Sequence, residues 1–411
     1  MRVSGSKSFG ALLGVALCAV PLLAAGATTV DNENGIKVGE GRLHPYFDLE
    51  LRYDSAAGLF GPARTMGSEL IAHFRPGLRL EVPSPTFAFN FNGNVDYVRY
   101  LGLLTRGSEG FSHFETDLSA DAAVNRSGQV EFDVGGGWVH SDRTTNVAVL
   151  LQSVMSDFYE VRAAVPIHPG GGALEVTPRG AYSGESLNPN CGAASSCPDT
   201  GNVKGMSYQN LRGGLDARWK FLPKTAVVFE GAFDSRTYTT ASNGSLDLLK
   251  LQLGLAGLVS PKIATLLMVG WTHGFDPAGR ITDDGKTVTG HFELSYLASE
   301  TANFKVGYLR SLEAVPLYGT FGRDGVYVGS RLMVGGRLSL HANGGFDYLT
   351  FYRAAEQGAR SDMMVSASVG PEYQFTSWLL ASLNYNLSLR YSGGALVLPR
   401  HEAIARIEFV Y

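Results

Sequence analysis

The chain has 411 residues, of which 45% are hydrophobic and 18% charged, with 51 glycines, 17 prolines, three cysteines and a formal net charge of −4. This hydrophobicity at low charge excludes a disordered chain, and no every-third glycine register supports collagen. The acidic balance leaves no basic footprint for nucleic acid, and three cysteines are too few for a disulfide-dense scaffold or a cysteine-built zinc cluster.

In chain order, Arg2 and Lys7 precede an apolar run from Phe9 to Leu23, and Ala25-Gly26-Ala27 is a small-x-small site. This predicts a cleaved export signal over residues 1–27, cut between Ala27 and Thr28. Cys18 follows the bulky Leu17 inside the apolar run, which argues against a lipid anchor. Residues 28–42 are expected to form a short periplasmic segment and residues 43–411 the folded body.

Past residue 43 apolar and polar residues alternate with a period of two, the signature of half-buried strands. Phe47, Leu49, Leu51 and Tyr53 oppose Tyr46, Asp48, Glu50 and Arg52, and near the end Leu379, Ala381, Leu383, Tyr385 and Leu387 oppose Ser382, Asn384, Asn386 and Ser388. A soluble sandwich also alternates, so the connections decide. Short turns fall near 82–85, 126–128, 166–170, 222–224, 260–262, 299–301, 340–342 and 376–377. Longer connections fall near 55–66, 101–111, 141–152, 183–206, 239–245, 275–288, 313–320, 353–361 and 392–399. Regular alternation of short and long is what an outer-membrane barrel requires. The fold class expected is all-β: a transmembrane antiparallel up-and-down β-barrel of about 18 strands, within two either way. It is expected in the outer membrane of a Gram-negative bacterium, in contact with outer-membrane lipid and with both termini periplasmic.

Several local features go with this architecture. Tyr53, Phe87, Trp138, Trp219, Trp271, Tyr296, Tyr373 and Tyr391 lie toward the ends of outward faces, as interfacial girdles do. Pro76 and Pro178 fall inside strands, where local bulges are expected because each deletes a ladder donor. Cys191 and Cys197 stand close together in a polar stretch. Outside the cytoplasm such a pair favours a small disulfide loop, two free thiols being the alternative. The terminal Ile407-Glu408-Phe409-Val410-Tyr411 resembles the signal by which the barrel-assembly machinery recognises its clients.

The opposite face predicts a wet lumen. Its expected lining includes Asp48, Glu50, Arg52, Arg75 and Arg79 early in the chain, then Glu115, Asp117, Asp121, Glu131 and Asp133 as an acidic wall. Arg212, Asp216, Arg218, Arg331 and Arg337 follow, with bases concentrated away from that wall. Segregated charge would set a transverse field across the lumen; pairing of the charges is the alternative. Catalysis has one local candidate, His140-Ser141-Asp142, but neighbours on a strand point to opposite faces. No cofactor and no catalytic residues are expected.

The segment Ile36-Lys37-Val38-Gly39-Glu40-Gly41-Arg42-Leu43-His44-Pro45, followed by Asp48 and Arg52-Tyr53-Asp54, resembles the β-barrel porin 2 family. The resemblance continues through the barrel to Tyr411, and some myxobacterial relatives are encoded with exopolysaccharide synthesis and export machinery. It implies a conduit for a secreted polysaccharide, fed by a periplasmic polysaccharide-export protein. Residues alone fit a general diffusion porin for small hydrophilic solutes equally well.

The mature protein is expected to begin at Thr28, with Cys191 and Cys197 resisting alkylation until reduced. An intact mass that retains Met1, or a lipid on Cys18, would contradict the export signal.

Overall fold

The computed structural model describes residues 35–57, 67–142, 154–190, 203–239, 245–275, 286–315, 319–352, 360–393 and 395–411. The cleavage site at Ala27 and Thr28 and the cysteines Cys191 and Cys197 lie outside the described residues.

A three-residue strand β1 (Ile36–Val38) leads into β2 (Gly41–Asp54), β3 (Glu69–Val82), β4 (Phe87–Tyr100), β5 (His113–Val124) and β6 (Phe132–Ser141). Next come β7 (Val154–Ala164), β8 (Leu174–Pro189), β9 (Tyr208–Leu222), β10 (Thr225–Tyr238), β11 (Ser245–Ser260) and β12 (Ile263–Phe275). The last are β13 (Lys286–Ser299), β14 (Ala302–Val315), β15 (Gly319–Val334), β16 (Leu338–Tyr352), β17 (Arg360–Thr376), β18 (Leu379–Ser392) and β19 (Ala395–Val410).

Each strand from β2 onward pairs antiparallel with its sequence neighbours, and β19 pairs back onto β2, from Val410 opposite Tyr46 to Glu402 opposite Asp54. The result is a closed eighteen-strand barrel. Below Tyr46 the edge of β2 passes from β19 to β1, which pairs with Gly41–Leu43. The two meet at the seam, where the Tyr411 N–H donates to the Pro45 carbonyl at 3.0 Å and His44 Nδ1 lies 3.1 Å from the Tyr411 carbonyl.

The faces separate cleanly. On β11, Leu251, Leu253 and Leu255 are exposed while Gln252 between them is buried. On β15, Val326 and Val328 are exposed on the outside, and on β2 it is Asp48, Glu50 and Arg52 that are buried. Apolar side chains therefore face outward and charged ones inward, the inverse of a soluble core and the order a hydrocarbon solvent demands. Inside, two tyrosines lie over glycines directly opposite them, Tyr46 over Gly77 and Tyr327 over Gly307. A side chain at either glycine would collide with the ring, so these glycines are there to seat aromatics.

One rim carries the turns Pro83–Thr86, 125–131, 165–173, 223–224, 261–262, 300–301, Gly335–Arg337 and 377–378; the other carries the longer connections. At the two-residue turns the ladder slips by one residue, between Thr225 and Val227, Leu258 and Ser260, Leu297 and Ser299, and Gln374 and Thr376. A bulge there adds the twist that lets so tight a connection join two strands.

Three expectations are corrected. The turn placed near 340–342 is Gly335–Arg337, where Gly335 and Gly336 take φ of 62° and 74°, so Arg337 sits in a turn and not on the lining face. The connections placed at 313–320 and 392–399 shrink to 316–318 and 393–394, because the ladder runs on past the apolar band. Pro76 and Pro178 cause no bulge. Pairs on either side of Pro76 keep one register on both neighbouring strands, and the Pro178 carbonyl still accepts from Val165 at 2.9 Å.

Leu253→Arg, in the middle of β11 on the outer face, is expected to destabilise the barrel by about 2–4 kcal/mol in phospholipid vesicles, with Leu253→Met refolding like wild type. Denaturant titration measures this. An arginine variant of unchanged stability would contradict the lipid-facing assignment.

Candidate functional site

The inner wall is built by alternation: in each strand every second residue points to the lumen, and neighbouring strands bring opposite charges side by side. Across β19, β2, β3 and β4 this gives a continuous chain. Arg406 lies 2.7 Å from Asp48, which lies 3.5 Å from Arg75. Arg75 in turn lies 2.7 Å from Asp96, and His73 Nδ1 is 2.8 Å from the same Asp96 oxygen. Asp48 is only 1% exposed. Nearer the turn rim, Arg79 reaches Glu408 at 4.0 Å and lies 5.0 Å from the centre of the Tyr46 ring. Nearer the loop rim, Glu50 pairs with Arg52, and Arg400 with Asp54 and Glu402 at 2.6 and 3.0 Å. The ladder extends through β15–β18, where Arg323 meets Asp347 at 2.7 Å, and Arg360 and Arg390 converge on Asp362 at 2.8 and 3.0 Å.

The remaining wall is paired more loosely. Asp121 and Arg162 form an ion pair with side chains 46% and 50% exposed. Arg212 lies 2.8 Å from Asp234, and Asp216 lies 2.7 Å from Arg179, which also reaches Glu230 at 3.2 Å. Glu131 stands one residue before β6, 3.7 Å from Arg126, with Asp133 half-buried beyond it. Asp117, Arg218 and Arg331 are exposed, Arg331 donating to Ser339 Oγ at 3.2 Å. The expected segregation of charge is thus broken. Pairing runs between adjacent strands, which the register brings within reach, and the acidic wall of β5 and β6 takes a base from β7.

The loop rim is narrowed from inside at three places. Glu69, fully buried at the start of β3, accepts from the backbone N–H groups of Leu103 and Thr105 at 3.2 and 3.1 Å and from the Ser108 hydroxyl. It folds the connection between β4 and β5, with its short 3-10 turn Ser108–Phe111, onto Ile71, Val98 and Tyr100. The second place is the turn Lys204–Met206, where Val203 and Met206 pack on Val154 and Leu187.

The third place is the hairpin of β14 and β15. The β13–β14 ladder stops at Gly290 opposite Arg310, while β14 and β15 stay paired to Val315. Beyond Arg310 the hairpin leaves the wall, leans toward β11 and β12, and buries Leu312, Ala314, Thr320 and Phe321. Arg236 of β10 holds it there, donating to the Ala314 carbonyl at 3.2 Å while stacked 4.4 Å from the Tyr208 ring centre.

Where β4, β5 and β6 reach the loop rim, polar groups gather densely. Glu115 lies 3.4 Å from His113 and accepts the Asp142 N–H at 2.8 Å, and the Tyr100 hydroxyl donates to Asp142 at 2.9 Å. Burial, reinforced by the Glu115 charge, pushes the Asp142 carboxyl up to about 6. His140 points outward and pairs with Asp157 at 2.7 Å, whereas Asp142 turns inward, so His140-Ser141-Asp142 does not converge on one face.

Alternation puts Glu69 on the polar face of its strand without disclosing its role, and Asp96, Asp362, Arg390, Arg400 and Arg406 join the lining without having been expected there. Counting parity strand by strand places Asp96 and Arg406 inside.

No family model and no curated protein matches the chain. Among solved structures it is similar to OpdQ of Pseudomonas aeruginosa, at 11% identity and a TM-score of 0.48 over 91% of this chain and 99% of that one. OccAB3 of Acinetobacter baumannii gives 9% and 0.48 over 91% and 100%, and OpdK of Pseudomonas aeruginosa 12% and 0.48 over 90% and 98%. The closed barrel, apolar outside and ion-paired inside, defines the class: a transmembrane β-barrel of the outer-membrane type.

Glu69→Ala is expected to free the connection between β4 and β5, making residues 101–112 sensitive to protease on the folded barrel, at a local cost of roughly 1–3 kcal/mol. Unchanged protection would show that packing on Ile71 and Val98 suffices without the carboxylate.

Proposed function

We propose that the protein is a non-catalytic conduit that carries a secreted exopolysaccharide across the outer membrane, with both termini and the short turns on the periplasmic side. The single observation that carries the conduit is the inner wall: charged side chains held in pairs from strand to strand. Such a lining is polar enough to stay hydrated, and along β19, β2, β3 and β4 and again through β15–β18 its charges are held in pairs. A hydrated sugar chain sliding along the paired part of this wall meets hydrogen-bonding groups and largely matched charge, so it can move without being trapped. Polysaccharide as the cargo, and a periplasmic polysaccharide-export protein as the donor, come from the resemblance of Ile36–Pro45 and Arg52–Asp54. The inward-packed β14–β15 hairpin is compatible with this cargo, as it narrows the loop rim.

A general diffusion porin is the second reading, favoured by the loosely paired and exposed Asp121, Arg162, Asp117 and Arg218. Deleting the gene separates the two. Loss of one surface polysaccharide with unchanged uptake of small hydrophilic solutes is the expected result. Normal surface polysaccharide with slowed uptake would make diffusion the function.

A further inference from the structure

We propose that the inner wall of β3, β4 and β5, close to the loop rim, binds one divalent transition-metal cation through His73, Asp96 and Glu115. The three residues come from three adjacent strands. Asp96 is directly opposite Glu115 in the β4–β5 ladder, and His73 on β3 reaches Asp96 diagonally. Each offers one donor atom, and the three donors lie within 4.8 Å of one another. Metal–nitrogen and metal–oxygen bonds of ~2.1 Å would set tetrahedral donors ~3.4 Å apart, so modest side-chain rotation closes the set.

The arrangement is more than a patch of acids. His73 and Asp96 are 4% and 2% exposed, and Asp96 Oδ1 has no hydrogen-bond partner among the described residues, while His73 presents Nδ1 to Asp96 and turns Nε2 toward Glu50, 3.9 Å away. A buried carboxylate oxygen without a protein partner is free to take a ligand. Arg75 and His73 Nδ1 both engage Asp96 Oδ2, which leaves Oδ1 as the open donor of that carboxylate. Glu115 is the hinge of the site. It belongs to a second cluster with His113 and Asp142, whose donors also lie within 4.8 Å of one another, and this cluster fixes the Glu115 carboxylate from the loop side.

One imidazole with two carboxylates is a donor set for zinc, copper, nickel or iron. Calcium and magnesium prefer oxygen alone. Arg52 and Arg75 already neutralise Glu50 and part of Asp96, so the cation is held mainly by the His73 nitrogen and by the open oxygens of Asp96 and Glu115.

The test uses the refolded mature chain in detergent, untagged, with Cys191→Ser and Cys197→Ser so that thiols contribute nothing. Titration with Co2+ is expected to give a saturable visible absorption at one equivalent, displaced by Zn2+ and unaffected by excess Ca2+ or Mg2+. His73→Asn and Glu115→Gln, each checked for folding by heat-modifiable gel mobility, are expected to weaken binding at least tenfold. Electron paramagnetic resonance of Cu2+ on the unsubstituted site should show nitrogen coupling, and this arm stands even if a variant fails to refold. Absence of saturable Co2+ binding, wild-type affinity in both variants, or an oxygen-only Cu2+ spectrum would each overturn the proposal.

Discussion

Backbone hydrogen bonding in a solvent that offers none is the constraint on which everything else here depends. Each amide left open to hydrocarbon costs several kcal/mol, so a sheet that crosses the bilayer must have no edge. The seam between β19 and β2 is where this is met: nine residues of each strand pair, from Tyr46 to Asp54 and from Glu402 to Val410. Below it β1 takes over the edge of β2, and His44 and Pro45 tie the Tyr411 backbone to the handover. Strands longer than the bilayer requires follow from the same logic, since ladder bonds continue to satisfy the backbone where loops would otherwise begin.

Closure also decides what the interior must be. Once the outer face is given to lipid, the other face of each strand is inside, and the charges the chain carries in its strands are concentrated there, close to one another. Neighbouring strands therefore bring opposite signs together, in the chain Arg406, Asp48, Arg75, Asp96 and His73 and again around Asp362. The pairs stiffen the wall as much as they line it. Where connections and the β14–β15 hairpin fold inward, they add buried apolar contacts such as Phe321 with Phe351, ring centres 5.5 Å apart, to an interior otherwise made of ions.

Much of the fold was legible in the sequence because a strand's period of two is local: Phe47 to Tyr53 or Leu379 to Leu387 declare their faces without reference to anything else. Eighteen strands and a wet interior follow by counting. What was illegible is non-local. Which base meets which acid depends on the stagger between neighbours, so Asp121 with Arg162 or Arg212 with Asp234 could not be read from either strand alone. Leu312 and Ala314 keep the outward parity of Tyr308, yet they are buried, because the hairpin has left β13 and turned in; no pattern along the chain records that. Arg337 was misplaced for a smaller reason: two consecutive glycines with positive φ, Gly335 and Gly336, make the turn a few residues earlier than polarity suggested.

The four tryptophans report directly on which face of the barrel meets lipid. Trp138 and Trp271 lie toward the loop rim, Trp219 and Trp378 toward the turn rim, and all four are exposed on the outside. Fluorescence of the protein reconstituted in vesicles should be quenched strongly by phospholipids brominated near the headgroup and little by aqueous iodide. Strong iodide quenching with brominated lipid inert would place these side chains in water and contradict the account.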